Sequence, residues 1–558
     1  MRQRARGVFD RATAAAESLT PRRAPVRPHR CVGIGVSAPG SHDLPENVMP
    51  LPAFINLGDL IRRDQDLEKR ALIDLGGAVA PREYSFRQLD AMANAVARGL
   101  LKRGYARGER IGILSANRVE NLAAYYGIMR AGLVAVPVNF RFPRALIDFV
   151  LDDADARMVF CDAARKGEAP PALPKVTFDE DGTDGFDAFL DPGPFNAVRP
   201  AQGETAMFLY TSGSTGKPKG VMLSHQSHIW VAATRVGNSD LARHRYLIAA
   251  PLYHMNALAL AKMACVAHAT IVLLPQFVAR AYIAAIGTYR CTWLTAVPPM
   301  VAMMLQEREQ LQNTDLSSVE FLRMGSAPVS PSLMAAIRAT FPHTQVTNAF
   351  GTTEGGPVVF GPHPQGLKQP ELSVGTPHPL VQLRLVDGDD LDATQGVLQM
   401  KSPAVMTGYH KGATRNPPFG NPFTADGFYS TGDVFCRDGD GFHFFVGRSD
   451  DMFVSGGENI YPGEVEKLLE THPAVQQAAV LPVEDQIKGY KPAAFVVRRA
   501  GANVTVGELK AHALAHAPAF QHPRWIWFLD ALPLATTNKI DRAALIEEAK
   551  RRVAQGGA

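Results

Sequence analysis

Residues 208–225 read FLYTSGSTGKPKGVMLSH. An apolar run ending at Tyr210 enters a loop made of Thr211, Ser212, Gly213, Ser214, Thr215, Gly216, Lys217, Pro218 and Lys219, and a second apolar run leaves it. The hydroxyls are donors, the glycines let backbone N–H groups turn towards an anion, and two lysines add positive charge. These are the parts of a polyphosphate cradle. A P-loop would need G-x-x-x-x-G-K-[ST] at the start of a helix. Here Thr211 stands where its first glycine belongs, and Pro218 replaces the hydroxyl that would hold magnesium. A Gly/Ser linker would need neither the lysines nor the apolar flanks.

Outward from the loop, the 558-residue chain is too long for one core, and its 46% hydrophobic content suits at least two globular domains. The net charge of +4 traces to arginines in the first thirty residues, which argues against nucleic-acid binding. Residues 1–50 read as a disordered arm, or as a start placed too early with Met49 as the true one. Cys31, Cys161, Cys265, Cys291 and Cys436 are dispersed with no paired spacing, as in a cytoplasmic protein with reduced thiols. The longest apolar region, residues 246–277, is broken by His254, Lys262 and His268. It predicts a buried helix and then a strand over 270–274, with no membrane insertion.

Ser85 with Gln88 forms a capping-box pattern before the periodic Phe86, Leu89, Met92, Val96 and Leu100, and Gly104 stops the helix. Strands are expected over 110–114 and 133–138, with a helix over 121–130. This alternation predicts an α/β fold with largely parallel sheets flanked by helices. Residues 374–445 are richer in glycine and more β-like. After Gly447 a small α+β domain is expected, with helices over 462–470 and 506–516 and strands over 478–483 and 493–497. The expected division is a large domain over 51–448, including the β-rich part, and a small mobile one over 449–558.

Five further motifs follow the loop in order: Asn348-Ala-Phe-Gly-Thr-Thr-Glu354, Tyr429-Ser-Thr-Gly-Asp433, Gly447-Arg-Ser-Asp-Asp451, Ser455-Gly-Gly-Glu-Asn-Ile-Tyr-Pro462 and Asn538-Lys-Ile-Asp-Arg542. Together with the loop they resemble the adenylate-forming superfamily, which includes acyl-CoA synthetases, luciferases and peptide-synthetase adenylation domains. The resemblance covers nearly everything after about residue 55.

What the resemblance implies is an acyl-CoA ligase. A carboxylic acid and ATP give acyl-AMP and pyrophosphate, and the acyl group then passes to coenzyme A. Delivery to a carrier-protein pantetheine is the alternative. The implied nucleotide site comprises the loop residues with Gly325, Ser326, Ala327, Phe350 as adenine platform, Gly351, Thr352, Asp433 on the ribose and Arg448. Glu354 is implied to hold Mg²⁺, Thr353 to bond the α-phosphate, and Lys539 to bridge the acid's carboxylate and that phosphate. Asn538 stands where the family usually has Gly, and it tolerates the same backbone angles. Asp450 is the implied hinge, and Gly456 and Gly457 are the implied thiol tunnel.

The acyl pocket is implied to be lined by His254, Met255, Ala257, Val297, Met300, Ala349 and Gly351. Gly351 stands where acetate-specific relatives carry a Trp, so the pocket is expected to be open there. No Arg or Lys stands out to pair a second carboxylate. A medium or long fatty acid, or an aryl acid, is the expected substrate. Oligomeric state is left open, a homodimer included.

Overall fold

The computed structural model describes residues 54–77, 79–211, 217–237, 239–326, 329, 331–414, 419–455, 458–485, 489–535 and 539–556. The expectations for residues 1–50 lie outside these. Ser85 begins the helix Phe86–Lys102 with both halves of the capping box formed. Its buried Phe86, Leu89, Val96 and Leu100 belong to the same core as the helix Val119–Arg130. Each such side chain contributes about 1.5–3 kcal/mol by leaving water.

Ten elements frame the site. In chain order they are strands β1 (Thr205–Thr211) and β2 (Lys219–Ser224), helix α1 (His225–Val236), strand β3 (Arg245–Ile248), helix α2 (Met255–Val266), and strands β4 (Trp293–Ala296), β5 (Phe321–Gly325), β6 (Gln345–Ala349), β7 (Tyr429–Arg437) and β8 (His443–Arg448).

Among the described residues, one seven-stranded sheet runs in the order β6, β5, β4, β3, Thr270–Leu273, Arg70–Asp74, Arg82–Ser85. All its pairs are parallel except the last. A second runs Gly408–Tyr409, β2, β1, Val134–Pro137, Arg110–Leu114, Ala156–Cys161, Lys175–Thr177. Its first two junctions are antiparallel and the rest parallel. The glycine-richer region forms an antiparallel sheet of Gln382–Val386, Gln395–Lys401, β7 and β8. Beyond it, five strands and the helices Pro462–Glu470, Val506–His516 and Arg542–Ala554 build further apolar cores.

Asn117 joins the two large sheets where their strands end. Its Nδ2 donates to the Ala250 and Leu274 carbonyls at 2.9 and 3.0 Å, and its Oδ1 accepts from Leu252 N–H at 2.8 Å. The carboxyl ends of β3, β5 and β6 are the usual place for a ligand beside a parallel sheet. None of the described helices is long and apolar enough to cross a membrane.

Candidate active site

The phosphate-cradle loop joins β1 to β2, an antiparallel pair in which Thr211 faces Lys219. A strand, not a helix, follows the loop, so the P-loop topology is absent here. Ser212, Gly213, Ser214, Thr215 and Gly216 lie outside the described residues, as do Ala327, Gly456 and Gly457. Lys219 Nζ lies 5.3 Å from the Tyr409 ring centroid and 4.9 Å from that of Phe419. Lys217 is exposed, with Nζ 5.3 Å from the Phe149 ring centroid.

The chain leaves β6 at Ala349 and turns tightly. Thr352 Oγ1 accepts from Gly355 N–H at 2.8 Å, and Thr352 O accepts from Gly356 N–H at 2.9 Å. The turn presents Thr353 and Glu354, both half-buried. Glu354 Oε1 accepts from the Tyr409 hydroxyl at 3.1 Å and from Thr211 Oγ1 at 3.4 Å, so three segments meet at one carboxylate. Phe350 packs edge-on to Phe435, with centroids 4.8 Å apart.

Gly351 corrects the expectation of an open pocket. A Cβ there would meet Pro357 Cα at 2.7 Å and the Gly356 carbonyl at 2.8 Å. Glycine is needed because backbone passes close by. Gly325 faces Ala349 across β5 and β6, where a Cβ would meet the Ala349 carbonyl at 2.8 Å. Ser326 follows it in the left-handed region at φ 67°.

Gly432, at φ 72°, sets the direction of Asp433 on β7. Asp433 pairs in register with Arg448 on β8, and Arg448 Nη1 lies 3.2 Å from Asp433 Oδ1. Arg448 also grips Asp450 with Nε and Nη2 at 2.8 and 3.1 Å. Burial pushes the Asp433 carboxyl up to about 6, against the opposing pull of Arg448 and Lys539.

Lys539 comes from the far end of the chain into this same cleft. It is reached by solvent but flanked by protein, and this desolvation lowers its pKa. Asp433 and Glu354 pull the pKa back up, while Arg448 adds to the lowering. His254 precedes α2 and feels Lys539 as well. Burial first, then Lys539 and Arg141, lower it to about 4, so its ring is neutral at pH 7. Glu354, Asp433, Arg448, His254 and Lys539 thus share one electrostatic environment, although 285 residues separate the first and last (539 − 254).

Of the other pocket candidates, Ala257 is fully buried, Met255 is half-buried, and Ala349 is half-buried on β6. Val297 and Met300 pack in the apolar cluster on the opposite face of the sheet. Lys262 of α2, Arg235 of α1 and Arg323 of β5 all stand between the helices and the sheet, with no sequence motif marking them. Tyr409 is a further contributor that no motif marked.

Among the described residues, no group of three His, Cys, Asp or Glu side chains converges as a metal cage. Glu354 alone suits Mg²⁺, which keeps its waters and binds largely through phosphate oxygens.

The profile of the AMP-binding enzyme family matches residues 62–410, and that of the AMP-binding enzyme C-terminal domain matches residues 464–539. The chain is 31% identical over 461 residues to a feruloyl-CoA synthase of Amycolatopsis sp, covering 82% of this chain and 92% of that one. It is 29% identical over 484 residues to a sulfoacetate–CoA ligase of Cupriavidus necator, covering 83% and 92%. ATP-bound MatB from Rhodopseudomonas palustris is similar in structure, with a TM-score of 0.79 at 27% identity and coverage of 89% and 99%.

Proposed function

The chain belongs to the AMP-binding enzyme family and is an ATP-dependent, AMP-forming acid–thiol ligase, and on that premise we propose the division of labour in its site. The acid's carboxylate attacks the α-phosphorus of MgATP, giving acyl-AMP and pyrophosphate. Coenzyme A then displaces AMP and leaves as the thioester. AMP is the leaving group of the second step, so no acyl-enzyme is needed.

The observation that supports this reading is the convergence of Lys539 with Glu354, Asp433 and Arg448. Two anions must meet at the α-phosphorus, and a cation in a partly desolvated cleft lowers that barrier. Lys539 has this role. Thr211, Lys217, Lys219 and the loop residues 212–216 hold the phosphates. Thr353 bonds the α-phosphate, and Glu354 is the residue that would hold Mg²⁺, which would supply positive charge to offset that of the phosphates. Asp433 and Arg448 take the ribose, Phe350 the adenine, and Gly325, Ser326, Ala327, Gly351 and Thr352 the floor of the nucleotide site. The small domain, residues 449–558, swings about Asp450 between the half-reactions. It brings Gly456 and Gly457 to the pantetheine arm.

The acid lies along α2 from His254 and Met255 inward, past Ala257 and Ala349. Lys262 and Arg323 stand where a long alkyl tail would run, which favours a compact acid over a long fatty one. Pyrophosphate release over a panel of acids, with and without coenzyme A, tests the reading. Acid-dependent pyrophosphate and a coenzyme A thioester are expected. A thioester formed only on a carrier-protein pantetheine would replace the acceptor, and pyrophosphate release that ignores the acid would overturn the scheme.

A further inference from the structure

Behind the reacting end of the cleft lies a group of cations that the adenylation chemistry does not use. Lys262 of α2 has no exposed surface, and its Nζ lies 3.1 Å from His228 Nδ1 of α1. Arg235 lies seven residues after His228 on α1, so the two share a helix face. Arg323 of β5 pairs in register with Thr295 of β4, whose hydroxyl donates to Asn256 of α2 at 2.8 Å. Paired residues of parallel strands point to one face, so Arg323 faces the helices too. Tyr246 of β3, in register with Trp293 of β4, lies on that same face.

Lys262, Arg235 and Arg323 influence one another in sequence: Arg235 acts on Lys262, and Arg323 acts on Arg235. No Asp or Glu among the described residues offsets them. Burial pushes Lys262 down to about 7 and Arg323 down to about 10. Among the described residues, the nearby His228 Nε2 and Tyr246 hydroxyl are also buried without a hydrogen-bond partner. Among the described residues, Arg323 makes one weak bond, to the Pro357 carbonyl at 3.3 Å. Lys262 is fully buried and Arg235 and Arg323 are half-buried; charge drawn out of water without a counter-charge is costly, and native proteins pair it. A structural ion pair would have brought a carboxylate from the chain itself.

We propose that Arg235, Arg323 and Lys262, with His228 and Tyr246, form a subsite for a second anionic group, so that the acid carries a carboxylate or sulfonate at its far end. The subsite lies behind the reacting end on the same strands and helix. Gly325 and Ala349 lie at the cleft, and Arg323 and Thr347 lie one pleat behind, about 7 Å back along the strands. On α2, Lys262 is eight residues beyond His254, about 12 Å along the axis. A chain of a few carbons spans that distance; a long fatty tail would bring its apolar end against three cations. The assignment rests on the ligase reading for the position of the reacting carboxylate, but the cation cluster stands on its own geometry.

Calorimetric titration of the full chain in the presence of AMP tests the subsite without turnover, using succinate, glutarate and 3-sulfopropanoate against butanoate and pentanoate. At least one dianion is expected to bind tenfold or more tighter than its monoanionic match. Arg323→Gln and Arg235→Gln are each expected to cut that ratio at least tenfold, with Arg323→Lys restoring part of it. Monocarboxylates that bind as tightly as every dianion, or a preference that survives both substitutions, would overturn the subsite. Pyrophosphate release separates the two readings. Turnover of monocarboxylates with no dianion preference removes the subsite and keeps the ligase. Dianion binding with no acid-dependent pyrophosphate removes the ligase scheme and keeps the subsite.

Discussion

Arg448 and Asp433 stand opposite each other across β7 and β8, 3.2 Å apart, and yet the Asp433 carboxyl rises to about 6. Burial outweighs the ion pair, because Arg448 directs its Nε and Nη2 at Asp450. The folded state therefore holds the Asp433 proton more tightly than the unfolded chain does. This contribution to stability is full below the ordinary 3.8 and is lost as pH rises through about 6. At pH 7.5 the ionised carboxylate costs on the order of 1–3 kcal/mol, since one pKa unit is about 1.4 kcal/mol. Asp433→Asn is expected to raise the melting temperature of the ligand-free protein at pH 7.5 while weakening adenosine binding at least tenfold. In the unaltered chain, with Arg448, Asp450 and Lys539 facing the carboxyl, adenosine affinity should fall as pH drops from 7.5 through 6. Adenosine carries no phosphate to titrate, so a flat profile over that interval would count against Asp433 as the ribose ligand.

Lys539, near the end of the chain, lies within electrostatic reach of Asp433 and Glu354. Lys539→Ala should slow acyl-adenylate formation by about 10²-fold or more, the scale of losing one preorganised electrostatic contact. Thioester formation from supplied acyl-AMP should change far less, since that step no longer brings two anions together. Burst-phase pyrophosphate release and thioester formation measure the two steps separately. Equal losses in both would remove the assignment.

Gly351→Ala distinguishes close packing from pocket shape. The new Cβ would point at Pro357 Cα and the Gly356 carbonyl, both backbone atoms that cannot swing aside. The expected result is a loss of about 1–3 kcal/mol in stability, typical of overpacking, read as a lower denaturation midpoint. The ranking of acids by kcat/KM should stay as it was. An altered ranking at unchanged stability would restore the view of Gly351 as a pocket gate.

Local chemistry made much of this fold legible. Ser85 and Gln88 announced the helix Phe86–Lys102, and Pro462 began the helix Pro462–Glu470. The strand Arg110–Leu114 needed only its apolar run. The helix Arg542–Ala554 escaped notice because Leu545 and Ala549 are its only fully buried residues, too narrow a stripe to show as periodicity. The motif residues Glu354, Asp433, Arg448 and Lys539 were readable as a set. Arg235, Arg323 and Lys262 were not. They meet through the register of β4 with β5 and the packing of α1 on α2, and no spacing along the chain encodes either. The direction of a Cβ at Gly351 is likewise a product of the turn and invisible before it forms.

A histidine at the head of an apolar helix can be a satisfied core residue or face a pocket. Among the described residues the His254 ring makes no hydrogen bond, and it is half-buried beside Lys539, which fits a group facing the cleft. Because burial and the nearby cations hold it at about 4, it stays neutral through the range in which a free histidine titrates. A ring that stays neutral offers shape and a dipole to the acid and no proton to carry near pH 7. His254→Gln keeps a polar side chain of comparable reach, and it should leave the pH profile of kcat/KM between 5.5 and 8 without a lost inflection. His254→Leu should raise KM for the acid several-fold, with KM for ATP nearly unchanged, because the ring borders the acid's end of the cleft. The disappearance of an inflection near 6.5 in the Gln variant would mean that His254 titrates in the working enzyme, and it would assign the ring a proton to carry.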